Sequence, residues 1–120
     1  MNKKVSFDFD GTLDQEWVQN IAKTFISNGD IVFVITSRCP KHENRDVWEV
    51  CDKLGIGKHQ VFMTDIFPKF NEIIRLQVDI HFENDFMEFL SLRNNGVNCV
   101  LIDTTNLECF QQDKIDFNQI

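Results

Sequence analysis

Val5-Ser6-Phe7-Asp8-Phe9-Asp10-Gly11-Thr12-Leu13 is the stretch on which the reading of the whole chain turns. Its β-branched and aromatic start reads as a strand, and two carboxylates two residues apart stand at the carboxyl end. Side chains at i and i+2 of a strand point the same way, so Asp8 and Asp10 are expected to project together while Phe7 and Phe9 enter the opposite layer. Gly11 allows a sharp turn without a Cβ clash. Carboxyl ends of strands are where α/β folds hold their ligands, and paired acids there attract a cation. The plainer alternative is a strand that ends in an acidic turn, with Asp10-Gly11 as an ordinary turn dipeptide.

Working outward, Trp17, Val18, Ile21, Ala22, Phe25 and Ile26 recur at helical spacing. They predict a helix from about Asp14, its cap, to Asn28, with Asn28-Gly29 as the stop. Ile31 to Ile35 is a continuous apolar run, as expected of a strand buried on both faces of a parallel sheet, and it leads into Thr36-Ser37-Arg38. Val47, Trp48, Cys51 and Leu54 predict a second helix ending at Gly55, and Gln60 to Met63 a short strand. Thr64-Asp65 is expected to open a third helix, with Pro68 in its first turn and Phe70, Ile73 and Ile74 facing inward. Val78, Ile80 and Phe82 alternate as a strand that ends in Glu83-Asn84-Asp85. Phe86, Phe89 and Leu90 begin a fourth helix closed by Asn95-Gly96, and Val97 to Ile102 reads as a last buried strand. Past Asp103, Leu107, Cys109, Phe110, Ile115 and Phe117 would suit a short helix or a strand equally. The order predicts an α/β fold, a doubly wound parallel sheet of about five strands with right-handed crossovers in a single domain, residues 1–120.

Composition narrows the function. The 120 residues are 42% hydrophobic with 12 phenylalanines, enough for a packed core without disulfides. A net charge of −7 argues against holding nucleic acid through nonspecific phosphate contacts. Cys39, Cys51, Cys99 and Cys109 form no C-x-x-C pair, so they read as reduced thiols of a cytoplasmic protein, Cys51 and Cys99 in the core. Lys3 and Lys4 precede no apolar stretch of signal-peptide type, and no window approaches a membrane span, so no membrane partner is expected. His42, His59 and His81 lack ligand spacing and read as surface or core residues.

Asp8-Phe9-Asp10-Gly11-Thr12-Leu13 resembles the first motif of the haloacid dehalogenase-like hydrolases, most of which are magnesium-dependent phosphatases. The resemblance covers about Lys4 to Ile102 and implies a Rossmann-like core. It implies that Asp8 attacks phosphorus to form an aspartyl-phosphate, and that Asp10 protonates the leaving group, later activates water, and meets the metal through its backbone carbonyl. Gly11 and Thr12 would lie against the substrate. A strand ending in Thr or Ser resembles the second motif, whose hydroxyl binds a phosphoryl oxygen; Thr36 takes that role, with Ser37 as runner-up. Lys69, by position, resembles the third-motif lysine that neutralises nucleophile and phosphoryl group, with Lys58 as competitor. A lysine in a first helical turn is poorly placed for the helix dipole, which hints at another use. The fourth motif is an acidic pair past a strand. Here Glu83-Asn84-Asp85 departs from two adjacent aspartates: position favours Glu83 and residue type Asp85 as the ligand that joins Asp8 and Asp10 at the metal, and Asn84 or Asp85 could cap the next helix as well.

Acids meeting at one sheet edge repel by about 4 kcal/mol per pair at ~4 Å and an effective dielectric of 20, so a phosphate dianion needs a divalent cation beside them. Oxygen-only ligands suit Mg2+ better than zinc. Arg38, Lys41, His42 and Arg45 form a basic loop that could steer an anionic substrate, which favours nucleotide monophosphates among small phosphorylated molecules. The segments after the first and second motifs hold only core elements, so no cap domain is expected. That leaves the site open, suiting a small substrate, a bulky phosphorylated partner or a lid supplied by a homo-oligomer. The expected function is thus a magnesium-dependent phosphomonoester phosphatase. Two rivals are a phospho-receiver-like signalling domain, with Asp65 as phosphoacceptor but Thr104 and Thr105 where its lysine would stand, and a noncatalytic binding protein of the same hydrolase family.

Overall fold

The computed structural model describes residues 2–102, in which strands and helices alternate along the chain. They are β1 (Lys4–Phe7), α1 (Glu16–Ser27), β2 (Ile31–Thr36), α2 (Arg45–Leu54), β3 (Val61–Met63), α3 (Lys69–Leu76), β4 (Ile80–Glu83), α4 (Phe86–Asn94) and β5 (Cys99–Leu101). The strands form one sheet in the order β3-β2-β1-β4-β5, and every pairing is parallel. This is the expected α/β doubly wound, Rossmann-like architecture, and among the described residues no cap interrupts it. The chain winds outward through β2 and β3, then returns across β1 to β4. The winding direction therefore reverses between β1 and β4, the position where open α/β sheets leave a crevice at their carboxyl ends. The same order disfavours the receiver reading, because flavodoxin-like receivers seat their third strand next to the first.

Strand alternation sorts the interior into two layers. Val5, Phe7, Val32, Val34, Ile80 and Phe82 pack with Val18, Ala22 and Phe25 of α1 and Val47, Cys51 and Leu54 of α2. Phe7 and Phe82 stack with ring centroids 4.7 Å apart. On the other face Ile35 and Cys99 pack with Ile73 of α3, Leu92 of α4 and Val97, joined by half-buried Phe33, Phe62, Phe70 and Phe89. Ser6, His81 and Glu83 alternate with the first set, so they turn toward the α3 and α4 side. All three are buried.

Several boundaries differ from the sequence expectation. Asp14 does not cap α1; Gln15 occupies the N-cap without a side-chain bond, because Asp14 closes the preceding turn through its N–H to the Phe9 carbonyl, 3.1 Å. Thr64-Asp65 lies outside α3, which starts at Lys69 with Pro68 at the N-cap. The Thr64 N–H is held by the Thr36 carbonyl at 2.8 Å and Asp65 takes a left-handed φ of 55°, so the chain turns before the helix begins. Ile74 points outward and is 53% exposed, whereas Ile73 is buried. Gly55 ends α2 in the left-handed region at φ 80°, as the pattern implied. Cys51 and Cys99 are buried, and Cys39, Cys51 and Cys99 are free thiols. Cys109 and the segment after Ile102 lie outside the described residues. Among the described residues, no helix is long and apolar enough to cross a membrane.

Candidate functional site

Asp8 follows β1 directly and extends its ladder, the Asp8 N–H donating to the Phe82 carbonyl of β4 at 2.9 Å. By strand parity its carboxylate falls on the same side as Ser6, the side on which α3 begins. There Lys69 Nζ donates to Asp8 Oδ1 at 2.8 Å and to Glu83 Oε1 at 2.9 Å. The three side chains are 8%, 1% and 7% exposed for Asp8, Glu83 and Lys69. A polar chain continues inward. His81 Nε2 lies 3.0 Å from Glu83 Oε1, and His81 Nδ1 lies 2.6 Å from Ser6 Oγ. With Glu83 ionised, the imidazole carries its proton on Nε2 and accepts the Ser6 hydroxyl at Nδ1.

Two buried carboxylates thus share one ammonium, and their titration separates. Burial, aided by the charge of Glu83, pushes the Asp8 carboxyl up to about 7 against the pull of Lys69. Burial also opposes ionisation of Glu83, but the His81 bond and Lys69 outweigh it and hold that carboxyl down at about 2. For Lys69, burial alone would favour the neutral amine; Asp8 and Glu83 reverse this and raise its pKa. Burial lowers His81 despite its bond to Glu83. Asp8 is therefore the acid of the pair that answers to its surroundings, and Glu83 the fixed charge.

Past Asp8 the backbone makes a wide turn, closed by the Leu13 N–H to the Asp8 carbonyl at 3.1 Å and passing through Gly11 at φ 77°. A Cβ on Gly11 would collide with the Asn84 amide. That amide occupies the mouth of the turn. One of its terminal atoms sits 2.8 Å from Asp8 Oδ2, 2.8 Å from the Asp10 carbonyl oxygen and 3.3 Å from Thr12 Oγ1. As NH2 it donates to all three; as oxygen it completes, with Asp8 Oδ2 and the Asp10 carbonyl, a close set of hard donors of the kind magnesium takes. Among the described residues, no three His, Cys, Asp or Glu side chains group to hold a metal. A hard cation here would depend on a backbone carbonyl and on the Asn84 amide turned with its oxygen toward Asp8.

The expected meeting of Asp8, Asp10 and one of Glu83 or Asp85 as carboxylate ligands does not form among the described residues. The Asp10 side chain leaves the strand's parity with the turn and is gripped by Arg38, at 2.7 Å from Nη2 and 2.9 Å from Nε. Glu83 is committed to Lys69 and His81. Asp85 caps α4, accepting the Glu88 N–H at 3.0 Å. Arg38 is not free for substrate either, since it also holds Asp46 at 2.6 and 2.7 Å and lies over the Phe9 ring. Within the basic loop Arg38 is thereby paired with two carboxylates, and Arg45 pairs with Glu43. Gly11 and Thr12 face Asn84. Thr36 is buried, its hydroxyl 3.4 Å from the Arg38 N–H, whereas Ser37 is exposed at the end of β2. Of the two lysines, Lys58 is exposed over the Trp48 ring and Lys69 reaches Asp8.

These groups open on a cavity of about 690 Å³ whose wall includes Asp8, Asp10, Ser37, Lys69, Glu83 and Asp85. Neither protein-family models nor curated protein sequences match the chain. Residue reasoning missed His81, Ser6 and Asn84 as parts of the site. The signal for the first two was present: Ser6 with Asp8 and His81 with Glu83 are polar pairs at i and i+2 in otherwise apolar strands. Asn84 carried no such mark, because an amide past a strand reads equally as a helix cap.

Proposed function

We propose that the chain is a phosphomonoester phosphohydrolase in which Asp8 is the nucleophile. The observation that carries this reading is the buried contact of Lys69 with both Asp8 and Glu83 at the wall of a cavity. A carboxylate kept dry beside a lysine, at the crevice of a doubly wound sheet, is poised for attack on a bound phosphoryl group. Asp8 Oδ bonds to phosphorus as the ester P–O bond breaks, and Asp10 gives its proton to the departing oxygen. Asp10 then takes a proton from water, whose oxygen attacks phosphorus and breaks the bond to Asp8, releasing phosphate. To do so, Asp10 has to exchange Arg38 for the leaving group. Lys69 balances the phosphoryl charge, Glu83 fixes Lys69, and the Ser37 hydroxyl is the better placed of the two candidates to meet a phosphoryl oxygen. Asp8 Oδ2, the Asp10 carbonyl and the Asn84 amide oxygen would hold Mg2+. When bound, that ion offsets the repulsion between Asp8 and a phosphate dianion.

The test is phosphate release from a phosphomonoester panel, in Mg2+ and in EDTA. Turnover is expected with Mg2+ alone, with hydroxylamine-sensitive label on Asp8, and it disappears in Asp8→Asn. Undiminished hydrolysis by purified Asp8→Asn would overturn the assignment.

A further inference from the structure

The rim of the site carries an unusual set of side chains. The three most exposed large apolar residues in the described chain are Ile66 at 86%, Met87 at 71% and Phe67 at 68%. All three line the same cavity as Asp8 and Lys69. They come from two separate segments, Ile66 and Phe67 from the turn between β3 and α3, and Met87 from the first turn of α4. Left in water they gain nothing for the fold, and scattered exposed apolar residues would not be expected to converge on one cavity. The rim also carries Asp65, Asp85 and Glu88 beside Asp10, and among the described residues Lys69 is the one cation in the wall. Its ammonium is already shared by Asp8 and Glu83.

We infer that the substrate is a small phosphomonoester whose leaving group is apolar and bears no second anionic group. This rests on the phosphatase reading and narrows it. The phosphoryl group enters toward Asp8, and Ile66, Phe67 and Met87 clasp the leaving group. A second phosphate or carboxylate on the substrate would face Asp65, Asp85 and Glu88, while Arg38, outside the lining, stays held by Asp46. The cavity volume is that of a small-molecule site, which favours such a ligand over a folded phosphoprotein.

The experiment compares three alkyl phosphates with leaving groups of similar basicity, in Mg2+: benzyl phosphate, glycerol 2-phosphate and fructose 1,6-bisphosphate. Benzyl phosphate is expected to lead glycerol 2-phosphate by about tenfold or more in kcat/KM, the discrimination of one filled apolar pocket, with the bisphosphate last. Phe67→Ala and Met87→Ala should raise KM for benzyl phosphate and bring that ratio toward unity. Asp65→Asn combined with Glu88→Gln should raise the bisphosphate relative to benzyl phosphate. Calorimetric binding of non-hydrolysable benzylphosphonate and methylphosphonate separates the two claims. Phe67-dependent binding of benzylphosphonate without hydrolysis of any ester would retain the recognition and overturn the phosphatase reading. Hydrolysis of all three esters at similar kcat/KM, or a phosphopeptide preferred over benzyl phosphate, would overturn the inference and leave the phosphatase reading intact. No hydrolysis and no phosphonate binding would overturn both.

Discussion

Lys69 is the residue on which the site's electrostatics close. Its ammonium is shared by two carboxylates that would otherwise face each other in a dry setting, so Lys69→Met is expected to cost about 3–5 kcal/mol in urea unfolding, the usual penalty for stranding a buried charge. Adding Asp8→Asn to that variant should recover part of the loss. Two other buried groups set opposing pH dependences. Burial keeps His81 from a proton that the unfolded chain accepts near 6.5, so its contribution to the fold is present above that pH and lost as pH falls below it. Asp8 acts in reverse: its carboxyl is pushed up to about 7 in the fold against 3.8 when unfolded, so stability is gained as pH drops through 7. Each can contribute up to about 1.4 kcal/mol per pH unit. In EDTA the wild-type urea midpoint should therefore change little between about pH 7 and 5, while Asp8→Asn loses stability steadily over that interval. A flat Asp8→Asn profile would show that His81 takes up its proton in the fold. For Asn84, replacement by Leu should raise the Mg2+ needed for half-maximal turnover by about tenfold or more, and Asn84→Asp should lower it. The preference for Lys69 over Lys58 was legible from the odd placement of a cation in a first turn, whereas Asn84 was not, since its importance lies in a tertiary meeting with the Asp10 carbonyl.

At the scale of elements, the turn after β1 ties Asp8 to its surroundings. Gly11 is required there twice, once by its positive φ and once by the Asn84 amide that fills the space a Cβ would need. Gly11→Ala should cost about 1–2 kcal/mol from the left-handed backbone alone, read from thermal or urea unfolding, and more if Asn84 is displaced. A stability equal to wild type would show that the turn relaxes to another path. The Arg38 grip joins this turn to α2, because the same guanidinium holds Asp10 and Asp46. The helices themselves were readable from their apolar spacing, as α1, α2 and the Gly55 stop demonstrate. Their starts were less so. Asp14 was captured by the turn before it could cap α1, and Thr64 by the Thr36 carbonyl before it could open α3; both competitors are backbone groups distant from the helix pattern.

For the whole molecule, the alternation of βα units and the continuous Ile31 to Ile35 run carried the architecture, since only a parallel sheet covered on both faces accommodates them. What alternation of units leaves open is the lateral order of strands, and that order is what brings β4 beside β1 and Glu83 beside Asp8. The register of β4 has a consequence of its own. Along Ile80-His81-Phe82-Glu83, oily and ionisable side chains strictly take turns, so each half of the sheet sandwich receives one kind. A single inserted residue ahead of Ile80 would swap the halves, driving the His81 imidazole among Phe7 and Phe25 and leaving a phenyl ring opposite Lys69. The oily half and the ionisable half of this protein are thus two sides of one ribbon, and no shift by an odd number of residues can spare either.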